Sequence, residues 1–99
     1  MAHSTVVEDE RFMRLALAQA SLAFRAGEIP IGSVLVQNGE CIFAEHNRVE
    51  ELQDASAHAE MLCLRGGAAV QGSWRLMGTT LYVTVKPCPM CLAALHAFR

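Results

Sequence analysis

The chain has 99 residues, enough for one domain around one core. Hydrophobic residues make up 53% and charged residues 18%. That excludes a disordered tail, because there is ample apolar surface to offset the entropy of folding. A formal charge of −2 does not mark the whole chain as a nucleic-acid binder, although a basic patch can be local. No apolar run approaches the ~18 residues of a membrane span, so no membrane partner is expected. Residues 1–10 carry no readable secretory or transit signal, and four cysteines in such a context point to reduced thiols or a metal. The expected compartment is the cytoplasm, or a plastid if a transit peptide precedes the chain.

Residues 8–26 have the period of a helix. Phe12, Leu15, Leu22 and Ala23 line one apolar stripe and Met13, Leu17 and Phe24 a second, with Arg11, Arg14, Ser21 and Arg25 on the polar side. So broad an apolar circumference predicts cover from other structure. Glu8, Asp9 and Glu10 suit the positive end of the helix dipole, and Gly27 is a natural stop. The period then changes to two. Residues 34–37 and 40–43 read as strands around Asn38-Gly39, a pair suited to a type I′ hairpin. Residues 48–55 are polar and loop-like. Residues 56–65 read as a second helix closed by Gly66-Gly67, and 79–85 as a short strand. A third helix starts at Pro87. The order helix, hairpin, helix, strand, helix predicts a single α/β domain, with about three strands and three helices layered around a small sheet.

Chemistry concentrates in His58-Ala59-Glu60 and Pro87-Cys88-Pro89-Met90-Cys91. They offer one imidazole, two thiolates and one carboxylate, with both segments at helix starts. Zinc takes N and S donors in a tetrahedron, and a catalytic site keeps one position for water. Residues two apart on a helix point to nearly opposite sides, so His58 and Glu60 reach one ion only if it lies beyond the helix N-terminus. Proline fits a first helical turn, and thiolates there are stabilised by the dipole and by backbone N–H groups. Two helix starts are therefore expected to converge on one Zn²⁺ per chain, whose charge two thiolates and a neutral imidazole cancel. Zinc lowers the pKa of a bound water from ~15.7 towards ~7. Glu60, outside the donor set, is then the general base that becomes a general acid, suited to hydrolysis at an amine-bearing carbon.

With these motifs the chain resembles the bacterial and plastid tRNA-specific adenosine deaminases, within the zinc superfamily of cytidine and deoxycytidylate deaminases. The matching stretches are Gly27-Glu28-Ile29-Pro30-Ile31-Gly32, His46-Asn47, Ala57-His58-Ala59-Glu60-Met61, Ser73-Trp74-Arg75-Leu76 and Thr80-Leu81-Tyr82-Val83-Thr84, running into Pro87-Cys88-Pro89-Met90-Cys91. The resemblance implies a cytidine-deaminase-like α/β/α fold and deamination of the wobble adenosine of a tRNA anticodon loop to inosine, by a homodimer. It implies His58, Cys88 and Cys91 as zinc ligands and Glu60 as proton shuttle. It further implies that Asn47 hydrogen-bonds the flipped base, that Ile31 packs on its face and that Ala57 meets it through the backbone. The chain departs from the family pattern at Lys86, where a glutamate is usual. The family also continues with two more strands and C-terminal helices, so this chain reads as a C-terminally truncated domain with one edge of residues 81–85 left open.

Other readings stand beside this one. A deaminase of free cytosine, cytidine or guanine would use the same zinc chemistry. An inactive zinc-binding fragment or partner subunit would keep the ligands alone. Cys88 and Cys91 also fit a thioredoxin-like redox motif, which leaves His58 and Glu60 without a role. Cys41 and Cys63 read as small buried hydrophobes, His3 and His46 as solvated, and His96 as packed or exposed. Trp74 and Tyr82 read as packing residues, and Arg11, Arg14 and Arg25 as a solvated helix face.

Overall fold

The sheet is organised around the strand that comes first in the chain. In the computed structural model, which describes residues 5–98, β1 (Gly32–Gln37) lies between β2 (Glu40–His46) and β3 (Thr79–Val83), antiparallel to both. Asn38 and Gly39 both have positive φ, 52° and 77°, as the expected hairpin turn requires. Ile42 is the extra residue of a bulge, since Leu35 pairs with Phe43 and Val36 with Cys41.

Alternation along β1 divides the core in two. Val34 and Val36 face α1 (Thr5–Arg25) and pack with Phe12 and Ala16; Leu35 faces the other way, into Cys63, Leu64, Leu76 and Ala94. The second layer holds α3 (Ala59–Gln71) and α4 (Pro89–Phe98), and a four-residue helix, α2 (Val49–Leu52), follows β2. Three strands and four helices in α/β/α order are the expected class, with one helix more than the periodicity predicts.

Several expectations about the elements need correcting. The face of α1 that is buried consists of Phe12, Ala16, Ala20 and Ala23, whereas Leu15, Leu17 and Leu22 are exposed and Phe24 is 71% exposed. The reason is proximity. A Cβ on Gly32 would sit 2.0 Å from the Ala16 carbonyl oxygen, so only small side chains fit between helix and strand. Second, Gly66-Gly67 does not end the second predicted helix, which runs from Ala59 to Gln71 and stops at Gly72 (φ 70°). Gly66 is there for closeness, because a Cβ on it would fall 2.0 Å from the Phe43 ring. Third, residues 48–55 are not loop throughout, since they contain α2. Fourth, the last helix begins at Pro89, not Pro87.

Other side chains sort more simply. Cys63 is buried as expected, but Cys41 is exposed. His46 is half-buried and hydrogen-bonded to Gln19, 3.1 Å from Nδ1 to Oε1, so it is not simply solvated. Trp74 is 60% exposed with the Arg75 guanidinium over its ring, so it does not pack in the core. Tyr82 packs on Phe12 with ring centroids 5.4 Å apart, and its hydroxyl donates to Asp9. Arg11 donates to the Gly39 carbonyl and lies over the Phe12 ring, while Arg14 and Arg25 are exposed. His96 is exposed, and His3 lies outside the described residues. No described helix is long and apolar enough to cross a membrane.

Candidate metal centre and its adjoining cleft

Two helix starts meet at one end of β1, and local chemistry explains why. The Ser33 hydroxyl donates to the Ala59 carbonyl (2.9 Å), tying the first residue of α3 to the strand. On the other side of β1, Thr84 N–H donates to the Gly32 carbonyl (3.1 Å) and Gly32 N–H to Thr84 Oγ1 (3.2 Å). The chain leaving β3 is thus held beside the start of α3 just before it reaches Pro87 and Cys88. His58 is the N-cap of α3 with extended backbone (ψ 151°), and its side chain makes no capping bond. Pro89 opens α4 at the position where a missing N–H costs nothing.

The outcome is a compact donor group. The donor atoms of His58, Cys88 and Cys91 all lie within 4.8 Å of one another. His58 Nδ1 is 3.6 Å from each Sγ. Zinc bonds of about 2.0–2.1 Å to nitrogen and about 2.3 Å to sulfur, at a tetrahedral angle, require N and S to be about 3.6 Å apart. The residues therefore fit zinc, and three protein donors leave one position of the tetrahedron for a non-protein ligand. Electrostatics agree with a cation here. Backbone N–H groups of Cys91 and Met90 draw the Cys88 thiol below its usual value. Burial, and then the Glu60 carboxylate, push Cys91 up to about 12, and a coordinated dication is what holds such a sulfur as thiolate. Cys41, Cys63, His46 and His96 do not belong to the group. A dithiol redox pair would give no reason for an imidazole against both sulfurs.

Glu60 is 3% exposed, near enough for its carboxylate to raise the pKa of the Cys91 thiol, and outside the donor group. Beside the donors lies a cleft of about 300 Å³ whose lining includes Glu28, Ile31, Asn47, Val49, Glu50 and His58. Two of the three residues expected to meet a base, Ile31 and Asn47, thus share a cavity with a metal donor. Ala57 does not line it. Ala57 is fully buried, its N–H donates to the Asp54 carbonyl and its own carbonyl accepts from Arg48 N–H, both at 3.0 Å. Lys86 is exposed.

The residue that sequence reasoning missed is Glu28. It is 6% exposed, yet its oxygens accept from Glu50 N–H (3.0 Å), Glu51 N–H (2.7 Å) and Asn47 Nδ2 (3.4 Å). The only signal available was its place in Glu28-Ile29-Pro30-Ile31-Gly32, and no local pattern connects it with α2.

Three N/S donors at zinc spacing, a buried acid beside them and a cleft at the end of an α/β/α sheet define a zinc-binding domain with room for a small ring. The profile of the cytidine and deoxycytidylate deaminase zinc-binding region matches residues 6–99, and the chain belongs to that family. It is 54% identical over 91 residues to the chloroplastic tRNA(adenine(34)) deaminase of Arabidopsis thaliana, covering 92% of this chain and 7% of that protein. It is 49% identical over 94 residues to the tRNA-specific adenosine deaminase of Bacillus subtilis strain 168, covering 95% of this chain and 58% of that protein. A solved structure from a study of A-to-I editing by tRNA:A34 deaminases superposes with a TM-score of 0.89 at 46% identity, over 91% of this chain and 65% of that one. The chain thus spans less than two thirds of the length of each.

Proposed function

We propose that the chain forms one zinc-dependent deaminase domain that converts the wobble adenosine of a tRNA anticodon loop to inosine by hydrolysis. The observation that carries the reading is Glu60, a carboxylate buried against the thiol donors without joining them. A purely structural zinc site has no use for such a group. Likeness to proteins named as tRNA adenosine deaminases supports the choice of substrate.

When bound by His58, Cys88 and Cys91, zinc supplies a Lewis acid that lowers the pKa of water. Glu60 takes a proton from the attacking water and delivers it to N1 of the adenine ring as the new C6–O bond forms. It then passes the second proton to the exocyclic amine, the C6–N bond breaks and ammonia leaves, so that C6 keeps the oxygen as a carbonyl. Asn47 orients the ring with its amide, and Ile31 packs on the face of the base. Ala57 is assigned no contact with the base, because it is fully buried and lies outside the cleft. A base in an anticodon loop enters such a cleft at less unstacking cost than a paired one. The same reading includes two copies of the chain per assembly and a site of action in the cytoplasm or a plastid.

The test is incubation of zinc-loaded protein with an anticodon stem-loop carrying adenosine at the wobble position, beside cytidine and guanine, with products read by mass. Inosine at the wobble position alone is the expected result. Turnover of cytidine or guanine with the stem-loop untouched would overturn the substrate assignment, and zinc binding without any turnover would leave a non-catalytic module.

A further inference from the structure

We infer that Glu28 is a positioning residue for the substrate cleft: its carboxylate clamps the side chain of Asn47 and the first turn of α2 into one wall, and so sets the affinity for the base. The inference rests on Asn47 contacting the base, as proposed above. Glu28 precedes β1 and Asn47 and α2 follow β2, so the pairing of Gly32 with His46 brings the two segments to the same end of the hairpin. Among the described residues, no cation pairs with this buried carboxylate. Its partners are neutral N–H groups, with Oε1 accepting from Asn47 Nδ2 and Glu50 N–H, and Oε2 from Glu51 N–H.

This pattern needs both oxygens to be acceptors. A glutamine of the same shape places an amide donor against at least one of these N–H groups, so the exchange is isosteric but not neutral. Asn47 is itself 3% exposed, and its N–H donates to the Ile31 carbonyl (3.0 Å). With its backbone fixed by Ile31 and its amide by Glu28, Asn47 is held in one orientation before substrate arrives. Glu28, Ile31, Asn47, Val49 and Glu50 all line the same cleft. Loss of the carboxylate therefore loosens the wall that meets the ring while leaving the donor group at His58, Cys88 and Cys91 in place.

The experiment compares wild type with Glu28→Gln, Asn47→Ala and the double variant, all zinc-loaded. Zinc content should stay at about one ion per chain in each. KM for the stem-loop should rise about tenfold in Glu28→Gln, with kcat changed far less, and Glu28→Gln should add little once Asn47 is alanine. Amide exchange at Glu50 and Glu51 should quicken about tenfold or more in Glu28→Gln, and the Asn47 side-chain amide resonance should move. These last readouts need no substrate. If wild type fails to deaminate the stem-loop, the functional reading falls and the exchange rates still decide the role of Glu28. Unchanged exchange and an unmoved Asn47 resonance would overturn the clamp, as would fully additive KM effects or loss of zinc from Glu28→Gln.

Discussion

At the metal corner, three donors come from two helix starts, and Cys88 and Cys91 are three residues apart within a single turn. Across the cleft, the wall is built from Glu28, Ile31, Asn47 and the start of α2, joined by hydrogen bonds between segments on either side of the β-hairpin. The first half states its chemistry in short stretches of sequence, because a metal constrains donor type and spacing directly. The second half is neutral N–H groups and one carboxylate, whose meaning depends on where folding puts them. Chemistry and recognition in one site can thus differ greatly in how they are encoded, even though His58 borders both.

The largest effect is expected where the corner is broken alone. Cys91→Ser or His58→Ala should reduce bound zinc from about one ion per chain to almost none, measured by elemental analysis after gel filtration. Full zinc retention in both variants would mean that the ion sits elsewhere. Next comes a change that separates holding the metal from using it. Glu60→Ala should keep zinc while ammonia release falls about 10²- to 10⁴-fold, and undiminished turnover would remove Glu60 from the mechanism.

A scaffold change should touch both halves more mildly. Gly66→Ala drives a methyl group into Phe43, and thermal unfolding should report a loss of about 1–3 kcal/mol, with zinc still bound by the folded fraction. An unchanged midpoint would mean that the helix and β2 can separate at no cost. The smallest effect belongs to the opposite layer. The hydrogen bond to Asp9 raises the Tyr82 phenol to about 12, from 10 when unfolded. Because the folded value is the higher one, this stabilisation is complete below pH 10 and is lost as pH rises from about 10 to about 12. Tyr82→Phe should cost at most about 1 kcal/mol near neutrality and flatten that alkaline decline, with zinc content unaltered. A decline as steep as in wild type would assign it to another group.

The same contrast explains what could be read in advance. The α/β class, the hairpin at Asn38-Gly39 and the convergence of His58, Cys88 and Cys91 follow from periodicity, turn chemistry and donor spacing, all of which are local. Close approach is not local. Gly66 reads as a helix stop until Phe43 is found against it, and Leu15, Leu17 and Leu22 read as core until Ala16 and Gly32 are seen to touch. The same holds for α2, whose first amides are held by a carboxylate more than twenty residues earlier, so that a polar stretch looked like loop. In each case tertiary packing overrode a correct local signal.

Zinc K-edge X-ray absorption on the purified, zinc-loaded protein tests the core of the account most directly. The account predicts about two sulfur neighbours near 2.3 Å and about two lighter ones near 2.0 Å, one from His58 and one not from the protein. A shell of four sulfurs, or one of oxygen and nitrogen alone, would contradict it.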